Sequence, residues 1–341
     1  MPHGARLAIY LSTAYMLVIV FASLYPYSGW TDPGIGPLSF VSKPFPKHVL
    51  WADFLINFSA YAPLGFFVSL AFGKSRGLLI SSLSCCLLSL LMESIQMYLP
   101  VRVASNLDWL ANSAGGITGA LIAWHFPSAR FSILKDSWFL QGSIGDAGIA
   151  LLSLWLFTQI NPSLPLMGSW VLEEGQLLQR LFIPHQFAPA EAASIALNLL
   201  SFGLITSLML RPEKEKLAPI VFLLLLAILI KSAAAGFLLK PSVFFAWANM
   251  EAMIGTGTGL VLIFIFRHLA PKARIVIAAT AIIAQIAFTN FTPDIASPTS
   301  ELFLFDWKYG QLPTLNGATS FLARIWPFLA LAYLGFIYRK V

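Results

Sequence analysis

Residues 54–73 read FLINFSAYAPLGFFVSLAFG, a stretch of twenty residues without a charged side chain. A helix needs about 20 predominantly apolar residues to cross the hydrocarbon core of a bilayer. In lipid, every backbone polar group must be satisfied within the protein, so only helices and closed barrels span a membrane. The stretch therefore predicts a membrane-spanning helix.

The rest of the chain repeats this pattern. Of its 341 residues, 58% are hydrophobic and 11% are charged, whereas soluble proteins carry about 25% charged residues. This composition excludes a cytosolic enzyme and a disordered protein, and the lack of a dense basic run excludes nucleic-acid binding. The fold class that it predicts is an all-α, polytopic transmembrane bundle. The ten predicted spans are approximately 7–25, 54–73, 77–98, 107–126, 143–160, 190–210, 217–239, 243–266, 273–291 and 321–338.

Charge and glycine patterns predict the organisation of these spans. Most Lys and Arg residues lie on the cytoplasmic side when both termini are cytoplasmic, so the positive-inside rule predicts that topology. Residues 1–126 form a first predicted domain of four spans, and 127–341 form a second six-helix region. Glycines at helical spacing in spans four and eight indicate close helix packing, or a parallel four-plus-four repeat with two added helices. These glycines are Gly115, Gly119, Gly255 and Gly259.

Polar side chains gather at the outer ends of spans two, three and four. Asp53 and Asn57 are four residues apart, as are Asp108 and Asn112, which places each pair on one helix face. Polar groups at membrane depth cost free energy unless they are paired, so we expect one hydrogen-bonded network at this level. The predicted network comprises Asp53, Asn57, Glu93, Gln96, Arg102, Ser105, Asp108 and Asn112.

Three interpretations of this network are open. In the structural one, Arg102 neutralises Asp108 or Glu93, and the amides cap helix starts. In the second, the network binds an envelope ligand such as a lipid-linked saccharide or peptide. In the third, Glu93 or Asp108 acts as a general acid or base in catalysis.

The second region contains its own intramembrane charges, Lys231 and Glu251. Each lies about nine or ten residues from the predicted outer turn at 240–241, or about 14 Å at 1.5 Å per residue, so we expect them to form an ion pair. The alternative is an ion or substrate site of a secondary transporter. No His or Cys cluster has the spacing of metal ligands, and the sequence predicts neither a metal nor a cofactor.

A series of motifs within residues 10–125 resembles the VanZ-like family. The motifs are Ser23–Trp30 (SLYPYSGW), Asp53-x3-Asn57-x3-Tyr61-x-Pro63-Leu64-Gly65-Phe66, Glu93-x2-Gln96, and Pro100-x-Arg102-x2-Ser105-x2-Asp108-x3-Asn112-x2-Gly115-x3-Gly119. Residues 160–341 resemble the C-terminal extension of long members. The resemblance implies an integral membrane protein of the bacterial cell envelope, in the inner membrane. It also implies an antibiotic-related phenotype, because the founding member is associated with reduced susceptibility to the glycopeptide teicoplanin.

These observations favour a non-enzymatic protein that binds or modulates a lipid-linked envelope component. Its expected partners are membrane lipids or a lipid-linked envelope precursor. A membrane enzyme acting on a lipid-linked substrate and a secondary transporter are the alternatives.

Overall fold

The computed structural model describes residues 5–45, 51–125, 128–161, 164, 187, 189–214, 217–236, 244–245, 248–291 and 312–340. Within these ranges the chain is all-helical, with eleven α-helices, two short 3-10 helices and no β-strand. The α-helices are α1 (Ala5–Leu24), α2 (Trp51–Phe72), α3 (Lys74–Gln96), α4 (Asn106–His125), α5 (Ser128–Trp138), α6 (Ser143–Thr158), α7 (Pro189–Met209), α8 (Leu217–Ala234), α9 (Met250–Phe266), α10 (Pro271–Phe291) and α11 (Leu312–Tyr338).

Each predicted span coincides with a helix, but not every helix qualifies as a span. Seven of the described helices are long and apolar enough to cross a membrane, judged by length and composition: α1, α2, α3, α7, α8, α10 and α11. Helices α6 and α9 are apolar but shorter, and polar residues such as Asp108 and Asn112 lower the hydropathy of α4. Helix α5, of mixed polarity, was not predicted. Ten spans and cytoplasmic termini stay predictions.

The chain divides into two compact units. The first comprises Met1–Ser137 with Tyr309–Ala318, and the second comprises Trp138–Lys308 with Thr319–Val341. The predicted domains, residues 1–126 and 127–341, stay a prediction.

In the first unit, α2 packs against α1, α3 and α4. The backbones of α2 and α4 are so close that a Cβ atom on Gly115 would overlap the carbonyl oxygen of Phe58, and one on Gly119 that of Ala62. From the first contact to the second, the residue number increases by four on both helices, so α2 and α4 are parallel. We call the end of the unit where α2 and α4 begin, and where α1 and α3 finish, the polar end.

In the second unit, α7 is the central helix, and its neighbours include α6, α8, α9 and α10. A Cβ atom on Gly255 of α9 would lie 2.6 Å from the carbonyl oxygen of Ala192, and one on Gly259 would lie 2.9 Å from Cβ of Leu199. Here too the residue number increases on both helices from the first contact to the second, so α7 and α9 are parallel. Each unit thus contains a parallel helix pair that meets at glycines, although the internal repeat itself stays a prediction.

Candidate functional site

Arg102 holds the C-terminal end of α1. Its Nε and Nη2 donate to the carbonyl of Tyr25 at 3.3 and 3.1 Å, and Nη2 also donates to the carbonyl of Ala22 at 3.3 Å and to Oγ1 of Thr314. The last carbonyls of a helix have no partner within the helix, so the guanidinium satisfies groups that would otherwise be unpaired. Burial lowers the pKa of Arg102 below its ordinary value, and the negative charge of Glu93 opposes this shift.

The turn after α1 is held by further contacts at the polar end. Nε2 of Gln96 donates to the carbonyl of Ser23 at 2.8 Å. The hydroxyl of Tyr27 donates to the carbonyl of Phe21 at 3.1 Å, and Nε1 of Trp30 donates to the carbonyl of Tyr27 at 2.8 Å. The hydrogen bonds of Tyr27 and Trp30 therefore stabilise this turn from within the same segment.

Glu93 and Ser105 organise the beginning of α4. The carboxylate of Glu93, which is 4% exposed, accepts a hydrogen bond from the backbone N–H of Ser105 at 2.8 Å. Oγ of Ser105 in turn accepts from the N–H groups of Leu107 and Asp108 at 3.2 and 3.4 Å. A serine before the first helical turn and a carboxylate near it both stabilise a helix N-terminus.

Four polar residues line the contact between α2 and α4, which we call the α2–α4 seam: Asp53, Asn57, Asp108 and Asn112. Asn57 and Asp53 lie close enough to the Asp108 carboxylate to act on its charge. Nδ2 of Asn112 donates to Oγ of Ser89 at 3.0 Å. Oδ1 of Asn112 is buried and has no hydrogen-bond partner in the described part of the chain, and Nδ2 of Asn57 is buried and meets the Asp108 carboxylate only outside ideal hydrogen-bond geometry.

The eight residues predicted to form one network all lie at the polar end, but their hydrogen bonds divide them into two sets. Glu93, Gln96, Arg102 and Ser105 bond backbone groups at helix ends. The four seam residues lie instead along the contact between α2 and α4, where Asn112 bonds Ser89 and Asn57 lies against Asp108. Participation of either set in a ligand site stays a prediction.

The predicted network left out three residues, of which Tyr61 stood only in the family motif. Ser89 lies one helical turn before Glu93 on the same face of α3, and the Tyr61 hydroxyl is buried beside Glu93 and Ser89. Both follow the four-residue spacing of the polar motifs, which is a signal that would have found them. Thr314 carries no such signal, because its contact with Arg102 joins distant parts of the sequence.

The second unit contains the two charges predicted to pair, and both are fully buried. Nζ of Lys231 donates to the carbonyl of Asn161 at 2.9 Å, and Oε2 of Glu251 accepts from Nδ2 of Asn249 at 2.7 Å. Their pairing stays a prediction, and the predicted outer turn at 240–241 lies outside the described residues. A third buried charge, Glu191, was not among the predicted intramembrane charges, although it lies at the beginning of the predicted span 190–210.

Comparison with known protein families finds a match in the first part of the chain. The family model described as VanZ/LLP1 matches residues 7–128. This range contains all of α1 but its first two residues, the whole of α2 to α4, and all eight residues of the predicted network. None of the curated proteins and none of the solved structures compared with the chain matches it.

Proposed function

Starting from the VanZ-like domain that residues 7–128 form, we propose that this membrane protein binds the hydroxyl-rich headgroup of a lipid-linked saccharide on the α2–α4 seam. The observation that carries the proposal is the set of incompletely bonded polar atoms there. Oδ1 of Asn112 is a buried acceptor without a partner among the described residues, and Nδ2 of Asn57 is a buried donor that meets the Asp108 carboxylate only outside ideal hydrogen-bond geometry. Two carboxylates, of Asp53 and Asp108, lie beside them.

The chemistry of these atoms favours a saccharide. A sugar hydroxyl donates one hydrogen bond and accepts others, so it can bond a carboxylate and an amide together. A buried polar atom without a partner costs about 1–3 kcal/mol, which a ligand recovers when it supplies the missing bond. A bare phosphate suits the seam less well, because two carboxylates repel it and the Arg102 guanidinium is engaged by carbonyls of α1.

The surroundings of the seam suit a ligand with a lipid chain. Asp53, Asn57 and Asp108 are half-buried, so each residue keeps some exposed surface. Leu55 and Leu110, on the same two helices, are 57% and 43% exposed and offer apolar surface to the chain of the ligand. Placement in the bacterial cytoplasmic membrane and an influence on glycopeptide susceptibility belong to the same proposal and are supported by the VanZ-like resemblance.

Analysis of co-purified lipids tests the proposal. The protein is purified in mild detergent, its lipids are extracted, and mass spectrometry compares wild type with Asp108→Asn and Asn57→Ala. Asp32→Asn is the matched control. Asp32 is an exposed acid of the same unit, and its side chain accepts a local hydrogen bond from the N–H of Gly34.

We expect a saccharide-bearing lipid to be enriched with wild type and with the Asp32→Asn control. Both seam variants should lose it while keeping the elution profile of a folded protein. Retention of the same lipid by both seam variants, or enrichment of no saccharide-bearing lipid with wild type, would contradict the proposal.

A further inference from the structure

Four helices of the second unit meet at one end, which we call the basic end. Nη1 of Arg274, in the first turn of α10, donates to Oγ of Ser207, near the end of α7, at 3.1 Å. Nζ of Lys272 lies 6.0 Å from the ring centre of Tyr338, the last residue of α11. Because only a short turn joins α9 to α10, the C-terminal end of α9 lies here as well.

The accessible charges of the basic end are positive. Four cations have surface there: Arg267, Lys272, Arg339 and Lys340. Within the described ranges, none of the four forms an ion pair. Nζ of Lys340 donates to Oγ of Ser143, the first residue of α6, at 3.2 Å, which places the beginning of α6 at the same end. The described carboxylate there, of Asp146 in the first turn of α6, is only 3% exposed and does little to offset the surface charge.

The positive charge is concentrated on part of this end. The turn between α7 and α8 is nearly balanced by its own acids, since its charged residues are Arg211, Glu213, Lys214, Glu215 and Lys216. The turn between α9 and α10 and the end of α11 differ from it, because residues 267–274 and 338–341 contain no Asp or Glu. The excess of cations therefore lies where α9, α10 and α11 end or begin.

Apolar surface lies directly beside these cations. The guanidinium of Arg267 lies over the ring of Phe264, 5.3 Å from its centre, and its Nε is buried without a hydrogen-bond partner in the described part of the chain. Val276 and Ile283 follow Lys272 by four and eleven residues, so the three side chains share one face of α10. The two apolar residues are 55% and 57% exposed. A cationic surface is thus continuous with an apolar one.

We propose that the basic end binds an acidic phospholipid, with the phosphate at Arg267 and Lys272 and the acyl chains along the exposed face of α10. Phosphate oxygens accept charge-assisted hydrogen bonds from guanidinium and ammonium groups, and Nε of Arg267 has a donor to give. Helices α10 and α11 are of spanning length, so cations at their ends lie at the level of the headgroups.

A lipid suits this surface better than a free phosphate ion. Both would meet the cations, but only a lipid also covers the exposed apolar residues of α10. Clusters of Lys and Arg at the cytoplasmic ends of spanning helices attract anionic lipids, and the topology predicted from charge places the basic end on that side. The site lies outside the VanZ/LLP1 match and does not depend on saccharide binding.

Native mass spectrometry of the full chain, released from a neutral detergent, tests the proposal. The chain is titrated with phosphatidylglycerol and with phosphatidylcholine of the same acyl chains. Wild type is compared with Lys272→Gln, with the double variant Arg267→Gln/Lys272→Gln and with Lys272→Arg, which keeps the charge. Lys214→Gln is the matched control, because it removes one exposed cation of the same end from the balanced turn.

Wild type should bind phosphatidylglycerol more tightly than phosphatidylcholine. Each basic residue near an anionic headgroup contributes about fivefold in affinity, so Lys272→Gln should weaken phosphatidylglycerol binding about fivefold and the double variant about 25-fold. Lys272→Arg and Lys214→Gln should both stay close to wild type. Millimolar inorganic phosphate should leave the lipid bound to wild type.

Three results would overturn the proposal, and two of them need no variant. Equal affinity of wild type for the two lipids would show that the headgroup charge is not recognised. Displacement of phosphatidylglycerol by inorganic phosphate would show a site for the free ion. An equal loss of affinity in Lys272→Gln and Lys214→Gln would show that the lipid responds to total charge and has no site at α10.

Discussion

Replacing Gly255 with alanine should destabilise the second unit, because α9 meets α7 at this residue. The new Cβ would lie 2.6 Å from the carbonyl oxygen of Ala192 and 2.8 Å from Cβ of Ile195. Ordinary contact begins at 3.4 Å, so the backbones must separate by about 0.8 Å at this point. A carbonyl oxygen of a helix cannot rotate away as a flexible side chain can.

The magnitude follows from two opposing terms. Overpacking of this kind costs about 1–3 kcal/mol, and alanine in place of glycine returns about 0.5–1 kcal/mol of helix stability. We therefore expect a net loss of about 1–2 kcal/mol. With about 2–4 °C of Tm per kcal/mol for a domain of this size, the Tm should fall by about 2–8 °C.

The control for this prediction is Gly257→Ala in the same helix. A Cβ atom on Gly257 would meet nothing within 4 Å, so this variant gains helix stability without a clash. Thermal unfolding of both variants is followed by tryptophan fluorescence in detergent. Equal Tm values for Gly255→Ala and Gly257→Ala would refute the close contact of α7 and α9.

Three further substitutions test the bonds that hold helix ends. Arg102→Ala should lower the free energy of unfolding by about 3 kcal/mol, since hydrogen bonds to a charged group contribute about 1.5–3 kcal/mol each, and Arg102→Lys should lose less. Glu93→Ala removes the acceptor for the N–H of Ser105 and should cost about 1–2 kcal/mol, whereas Glu93→Gln keeps an acceptor oxygen. Asn249→Ala removes the cap of α9 and should cost about 1 kcal/mol, while Asn249→Ser, which keeps a capping oxygen and adds no charge beside Glu251, should be closer to wild type. Thermal unfolding measures all three pairs, and a smaller loss in the alanine variant than in its conservative partner would contradict the assigned bond.

The helices could be predicted from sequence because apolar stretches of spanning length have few structural options in lipid. Residues 54–73, for example, fall almost entirely within α2. The juxtaposition of the polar residues was also predictable. Successive spanning helices run in opposite directions, so the C-terminal end of one lies at the same side of the membrane as the N-terminal end of the next.

The partners of these polar residues could not be predicted in the same way. A guanidinium can bond a carboxylate or a carbonyl, and sequence spacing does not distinguish them, so the carbonyl of Tyr25 was not foreseen as a partner of Arg102. Glu191 was missed for a related reason. An acid in the first turn of a helix is ordinarily a solvated cap, and only the packing of α9 shows that this one is buried.

Native mass spectrometry with defined ligands tests the central claim most directly. The full chain is titrated with a polyprenyl diphosphate that carries a saccharide and with the same lipid without the sugar. Wild type should bind the saccharide-bearing lipid more tightly, and Asp108→Asn should lose this preference while Asp32→Asn keeps it. Equal affinity of wild type for the two lipids would contradict recognition of a saccharide on the α2–α4 seam.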